Sequence, residues 1–419
     1  MKAVIKETGL SPATLRAWER RYKLFKPLRS PGGHRLYTED EIQLLKWLVE
    51  RQKEGLRISR AVALWRSQEA RPQNIKSSLP GSQIAPVLGK DILNQLSTSW
   101  YEACLEFNEP AAELAVAKAL AIATPEVVCE KVLQNGLAEI GRRWYSGTAS
   151  IQQEHFAAAL AARRINALFA IAPVPTRSGR LIAACPPGEQ HDLALLMLAF
   201  ILRWQGWEVI YLGADIPLDQ LDATLEATMP DLVISAAQTL PGAASLVEFA
   251  NYVNHRSIPL AFAGGIFNQI DDLSEKIPGF FLGQDVNTAP RLIEDLLENR
   301  ITLPASRHLS PEYANALASY SEHEAVVLAK LKKSMQFRHI SSRDIERANS
   351  NFSSALKSAL TLGEMHLLDY SVEWLNGLLE NHGVSPDFAI QYYQAFYQAL
   401  KDLPTLEAEP VLNWLSRFV

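Results

Sequence analysis

Two side chains with metal-binding chemistry stand close together in Pro187-Gly188-Glu189-Gln190-His191-Asp192. An imidazole with a carboxylate two residues before it suits a metal ligand better than a nucleophile. The carboxylate on one ring nitrogen fixes the tautomer and leaves the other nitrogen to bind. The stretch lacks the glycine spacing of a phosphate-cradling loop. The plain alternative is a loop histidine that binds nothing, and the flanking sequence decides how much weight that alternative keeps. Arg180-Leu-Ile-Ala-Ala-Cys185 reads as a buried strand and Leu193–Arg203 as a helix. A strand, a tight loop and a helix put His191 at the carboxyl end of a parallel sheet, where open α/β sheets bind ligands.

The elements around this loop repeat the same alternation. Strands are expected at 208–213, 231–236, 259–263 and 280–283. Helices are expected at 193–205, from Leu218, across 243–254 and at 288–298. Alternation of this kind means a doubly wound parallel sheet, here over residues 176–302. No Gly-x-Gly-x-x-Gly follows the first strand, so a dinucleotide enzyme has no support.

Before this domain the chain changes character. The whole chain has 419 residues and a net charge of −5. Residues 1–70 hold 15 Lys and Arg against 8 Asp and Glu, a net of +7; the remainder holds 26 against 38, a net of −12. A basic head on an acidic body calls for a polyanion partner. Ser11-Pro12 caps and starts a helix, Ala13–Tyr22, with Leu15 and Trp18 on one face and Thr14, Arg16, Arg20 and Arg21 on the other. Gly32-Gly33 is a hairpin turn signal flanked by Arg29, His34, Arg35 and Tyr37, and Thr38–Glu41 is a capping box for the next helix.

Residues 1–72 closely resemble the winged helix-turn-helix of MerR-type transcription regulators. The resemblance rests on Thr8-Gly9, Thr14-Leu-Arg16-Ala-Trp18-Glu-Arg20-Arg21-Tyr22 and Pro31-Gly-Gly-His-Arg35-Leu-Tyr37. It implies that the second helix enters the major groove of double-stranded DNA and that the wing lies on phosphates. Thr14, Arg16, Arg20, Arg21, Tyr22, Arg35 and Tyr37 are then the DNA-binding residues. Arg16 and Arg20 reach base edges while Arg35 and Tyr37 hold phosphate.

Residues 73–90, rich in Pro, Ser and Gly, read as a linker, and residues 91–175 as four helices with Pro110 and Thr124-Pro125 between them. Read alone, these helices are a dimerisation bundle. Trp144 beside a glycine turn, with nine residues between it and Glu154-His155, resembles instead the helical cap of the cobalamin-binding MerR-type photoreceptors, the carotenoid-gene and light-response repressors. That likeness implies that Trp144, Glu154 and His155 cover the upper face of the cofactor.

The α/β domain is similar to the cobalamin domain of methionine synthase and the mutases. That family's Asp-x-His-x-x-Gly loop maps onto Glu189-x-His191-x-x-Ala194, its serine onto Ser235 and its Gly-Gly onto Gly264-Gly265. Trp207–Pro217 also matches. The likeness makes His191 the lower cobalt ligand, Glu189 its orienting group, and Ser235, Gly264 and Gly265 the lining of the nucleotide tail's path. Glu189 in place of Asp keeps the charge on a longer arm. Ala194 in place of Gly adds a methyl where the tail passes.

Residues 311–419 follow a second linker and read as all-helical, broken at Gly383-Val-Ser-Pro386. Most of their aromatic and imidazole residues read as core or helix surface. The sharper reading is a pocket for a bilin, by a distant likeness of domain order to cobalamin–bilin photoreceptors. Arg338, Arg343 and Arg347 would face its propionates, Tyr370 or Trp374 would stack, and His366 would sit near the pyrrole nitrogens. No cysteine follows Cys185, so a thioether link within this segment is excluded.

The expected fold is therefore multidomain α and α/β: a winged helix-turn-helix, a four-helix cap, a doubly wound parallel-sheet cobalamin domain and a C-terminal all-α domain. The expected function is a non-enzymatic DNA-binding regulator controlled by adenosyl- or methylcobalamin, with light as the signal. It would be a cytoplasmic homo-oligomer, dimer or tetramer, with no membrane span or signal peptide. The alternative is the same build with cobalamin lost or supplemented, switched by protein contacts or by a bilin.

Overall fold

Leu15 and Trp18, three positions apart on one helical face, are buried together with Leu44, Leu45, Leu48 and Val62. This small core belongs to the first of two units, residues 1–82; residues 83–419 form the second. The structure is a computed structural model. It describes residues 85–419 except 285, 287, 299–301, 306–307, 336–341, 382–386 and 404–406. In the first unit it describes residues 10, 15, 18, 28–29, 35–36, 44–49, 58 and 62. Strands β1 (Leu28–Arg29) and β2 (Arg35–Leu36) pair antiparallel, with Leu28 opposite Leu36 and Arg29 opposite Arg35.

The second unit opens with four helical rods. Helix α1 (Ala85–Leu105) starts earlier than the sequence implies, so residues 85–90 of the expected linker are helical. Pro86 does not prevent this, because a first-turn proline forfeits no intrahelical bond. Helix α2 (Glu109–Leu120) is capped by Asn108, whose side chain accepts from the Ala111 amide at 3.2 Å. The third rod runs through α3 (Pro125–Val128), a π-helical turn (Cys129–Gln134) and α4 (Asn135–Tyr145). Helix α5 (Ile151–Ala170) is fixed by a Ser150–Gln153 capping box. Close approach of the rods needs Gly136, where a Cβ would stand 2.5 Å from Trp100 Cε3.

The α/β part comprises β3 (Arg180–Ala184), α6 (Leu193–Trp204), β4 (Glu208–Gly213), α7 (Leu221–Thr228), β5 (Leu232–Ala236), α8 (Leu240–Asn254), β6 (Leu260–Ala263), β7 (Phe280–Phe281) and α9 (Ala289–Glu298). The five strands are all parallel in the order β4-β3-β5-β6-β7. Helix α6 is apolar nearly all round because it is covered on two sides. Leu195, Leu198 and Leu202 join the sheet core, while Leu196, Met197, Phe200 and Ile201 join the core of the four rods.

The C-terminal helices are α10 (Pro311–Met335), α11 (Ser342–Leu362), α12 (Leu367–Asn381), α13 (Asp387–Lys401) and α14 (Glu409–Leu415). They are not a separate body. Leu356, Ala359 and Leu360 of α11 belong to the same buried cluster as Leu246, Val247 and Phe249 of α8. The expected break at 383–386 lies outside the described residues. Among the described residues no helix is long and apolar enough to cross a membrane.

Candidate functional site

The strand order reverses direction between β3 and β5, and the crevice outside the carboxyl ends of those two strands is where a sheet of this order binds ligands. His191 follows β3 and Ser235 lies in β5. Glu189 is buried at 1% exposure in the floor of this crevice. Its Oε2 accepts from the backbone amides of Gln238 (2.8 Å) and Thr239 (3.2 Å) and from the Thr239 hydroxyl (3.1 Å). Its Oε1 accepts from the His191 amide (3.0 Å) and meets His191 Nδ1 at 2.6 Å. With Nδ1 held by the carboxylate, Nε2 is the nitrogen left for a ligand, and the His191 side chain is 65% exposed.

The charges follow this geometry. The hydrogen bond to Glu189 holds the His191 pKa above its ordinary value; partial burial opposes this, and the charges of Glu189, Glu154 and Asp192 reinforce it. Burial pushes the Glu189 carboxyl up, but its hydrogen bonds from His191 and Gln238 outweigh that and leave it below the usual range. The pair is therefore a carboxylate beside an imidazole that it makes more basic, which is what a metal ligand needs.

Three groups brace the loop that the sequence did not single out. Asp215, in the left-handed region at φ 52°, takes the Gly188 amide on one oxygen (2.7 Å) and the Gln190 side-chain amide on the other (2.9 Å). Its own amide donates to the Glu189 carbonyl (3.0 Å). Asp192 accepts from the Tyr211 hydroxyl at 2.6 Å. Thr239 caps α8 through the Gly242 amide (3.1 Å) while it donates to Glu189. Thr239-Leu-Pro241 is a helix-start signal, so α8 begins at Leu240 and not at the expected 243.

Ser235 Oγ is buried and has no hydrogen-bond partner. A buried hydroxyl left unpaired costs about 1–3 kcal/mol, so a hydrogen-bonding group placed at this point would relieve it. Beyond it, Gly264 sits at φ 141°, and a Cβ there would run into the Ala237 carbonyl. A Cβ on Gly265 would stand 2.7 Å from Gln238 Oε1, which accepts the Gly265 amide at 2.9 Å. Ala194, the expected obstruction, is exposed. An exposed imidazole, an orphaned hydroxyl and a glycine pair along one crevice fit a cobalamin with its tail threaded into the sheet.

Trp144 and Tyr145 form the last turn of α4, fastened by Ser146 and Thr148 hydroxyls on the Arg143 carbonyl (both 3.1 Å). Glu154 lies in the first turn of α5. His155 is 76% exposed, with Nδ1 3.3 Å from Glu154. The residues expected to stack a bilin are engaged elsewhere. Tyr370 donates to Gln269 of the α/β part, and Trp374 packs on Trp144 and Tyr145. His366 Nδ1 stands 3.3 Å from Glu364. Arg338 and the side chains of Arg343 and Arg347 lie outside the described residues. So do Thr14, Arg16, Arg20, Arg21, Tyr22 and Tyr37; Arg35 is placed by its backbone, opposite Arg29.

Comparison with known proteins matches three stretches within residues 1–293. Residues 1–68 match the model of the MerR HTH family regulatory protein, and residues 96–168 and 179–293 match two models of a B12 binding domain. The HTH-type transcriptional repressor CarH of Myxococcus xanthus is 32% identical over 229 residues, covering 54% of this chain and 74% of CarH. The HTH-type transcriptional repressor CarA of the same organism is 30% identical over 239 residues, covering 56% and 74%. Among solved structures, the Methanosarcina barkeri monomethylamine corrinoid protein aligns with 50% of this chain and 99% of its own, at 15% identity and a TM-score of 0.41.

Proposed function

The chain belongs to the MerR-type transcriptional repressors that carry a cobalamin-binding domain, and from that membership we propose that it represses transcription from a double-stranded DNA operator under the control of bound cobalamin, with light as the signal. The observation that carries the reading is the exposed His191 imidazole held by the buried Glu189 at the sheet's switch point.

In this reading His191 Nε2 would ligate the cobalt, and Glu189 keeps the proton on Nδ1 so that Nε2 stays free. Ser235 Oγ and the Gly264–Gly265 corner receive the tail. Trp144, Glu154 and His155 exclude water from the upper side. Cobalamin, as the adenosyl or methyl form, would supply a light-sensitive cobalt–carbon bond. At the other end, Arg29 and Arg35 stand opposite each other across β1 and β2. A positively charged head of this kind would lie on DNA phosphates. One such head covers one half-site, so the protein binds as a dimer or tetramer on a near-palindromic operator, in the cytoplasm where that DNA lies. We assign it no catalysis.

The test is the absorption spectrum of the purified chain, loaded in the dark with adenosyl- or methylcobalamin and then illuminated. A histidine-ligated spectrum that changes with light, and that Ser or Ala at position 191 abolishes, supports the reading. Identical spectra for wild type and His191→Ala remove His191 from the site, and no bound cobalamin removes the cofactor.

The C-terminal helices favour a second mode of control by protein contact. Tyr370 and Trp374 are committed to the α/β part and the cap, which leaves a bilin without its stacking partners. Expression with a biliverdin source would reverse this if absorption beyond the cobalamin bands appeared and vanished on deleting residues 311–419.

A further inference from the structure

The C-terminal helices touch the two sides of the proposed cobalamin site by unlike means. Towards the α/β part the junction is a core: α11 lies against α8 in one buried cluster, and Lys276 pairs with Glu364 beside the Tyr370–Gln269 hydrogen bond. Towards the cap it is thin. Trp374 lies against Trp144 and Tyr145 with ring centroids 6.1 Å apart in both cases, and it remains 37% exposed. The Asn381 side-chain amide donates to the Tyr145 carbonyl at 3.0 Å, and the Tyr145 hydroxyl stands 3.5 Å from the Trp374 carbonyl.

The sequence of α12 is adapted to this contact. Tyr370, Trp374, Gly377 and Asn381 fall at i, i+4, i+7 and i+11, along one helical face. A glycine inside a helix is unfavourable relative to alanine. Gly377 has a reason to be there, since a Cβ at that position would collide with the Tyr145 hydroxyl.

We propose that α12 is a clamp on the cap: through Trp374, Gly377 and Asn381 it grips Trp144–Tyr145, so that a change of upper cobalt ligand is transmitted to the C-terminal helices of the same chain. This rests on the reading that Trp144 covers the upper face of the cofactor. The C-terminal helices are fixed to the sheet by a buried core. Any displacement of α4 relative to the sheet is therefore taken up at the exposed junction with α12, where fewer and weaker contacts have to give.

The experiment is hydrogen exchange on the full-length chain, following peptides that cover 141–147 and 367–381. The chain is compared when loaded with adenosylcobalamin in the dark and with hydroxocobalamin. In the wild type both peptides should change protection together, by about two- to tenfold, the size of one aromatic contact. In Gly377→Ala, a substitution that favours the helix and so preserves the fold, both peptides should already exchange faster with adenosylcobalamin. In Trp374→Ala the 141–147 peptide should still respond to the ligand and the 367–381 peptide should not. A bound cobalamin spectrum with a 367–381 peptide indifferent to the upper ligand overturns the clamp alone. Absence of any cobalamin spectrum in the wild type overturns the cofactor reading on which it rests.

Discussion

Glu189→Gln is the sharpest probe of the site, because it removes a charge and almost no volume. Glu189 accepts five hydrogen bonds, two from His191 and three from Gln238 and Thr239. A glutamine must turn its NH2 towards one of these groups. Facing 238–239, it leaves two amide donors without an acceptor in a buried place. Facing His191, it drives the imidazole to the tautomer with the proton on Nε2, which cannot ligate a metal. Each buried donor left unmet costs about 1–3 kcal/mol, so the first arrangement loses about 2–6 kcal/mol and the second loses the ligand. The cofactor-free chain should melt lower by on the order of 5 °C, and cobalamin affinity should fall about 10- to 100-fold, as for other groups that orient a metal-binding histidine. Glu189→Asp keeps the charge but is one methylene shorter, and it cannot span from the Gln238 amide to the His191 ring. It should melt between the two. Calorimetry and a cobalamin titration read both quantities. A Glu189→Gln protein that melts within about 1 °C of wild type and binds cobalamin equally well would show that the carboxylate does not organise the site.

Asp215→Ala should loosen the loop before His191, since it removes two side-chain bonds from a residue in the left-handed region. Asp215→Asn should recover most of the loss, because asparagine tolerates that conformation and keeps one acceptor; equal melting of the two variants would rule out the bracing role. Cys104, Cys129 and Cys185 are buried, and burial pushes each thiol up to about 12. At pH 8 about one thiol in ten thousand is then thiolate, so a disulfide reagent should label none until the protein unfolds, and prompt labelling would refute the burial. Arg35→Ala should weaken binding to all DNA sequences and reduce the salt slope by about one unit, whereas Arg16→Ala and Arg20→Ala should each cost about 1–3 kcal/mol at the operator only. An unchanged salt slope for Arg35→Ala would take the wing off the phosphates.

What the sequence made legible was whatever depends on local pattern. The five strands and the His191 loop were readable because each strand is an apolar run bounded by turn residues, and because a loop between strand and helix has one place to go in a parallel sheet. The partners of Glu189 were harder to read. Its acceptor bonds come from residues 238 and 239, some fifty positions on, and nothing in a carboxylate's neighbours in sequence says which amides it will meet. Thr239-Leu-Pro241 carried a usable signal as a helix start, yet its second role, donating to Glu189, exists only once β3 and β5 lie side by side. The C-terminal helices show the limit most plainly. Tyr370 and Trp374 were legible as aromatics on a helix, with core or helix surface as the plain use for them and a bilin pocket as the sharper one. Their actual contacts, with Gln269 and with Trp144–Tyr145, join segments 101 to 230 residues apart, and no periodicity in α12 encodes those addresses. The local trace was Gly377, an unfavourable residue in a helix interior, where a Cβ would meet the Tyr145 hydroxyl. A glycine that weakens its own helix is thus the sequence's record of a neighbour, and it becomes readable only when the neighbour is known.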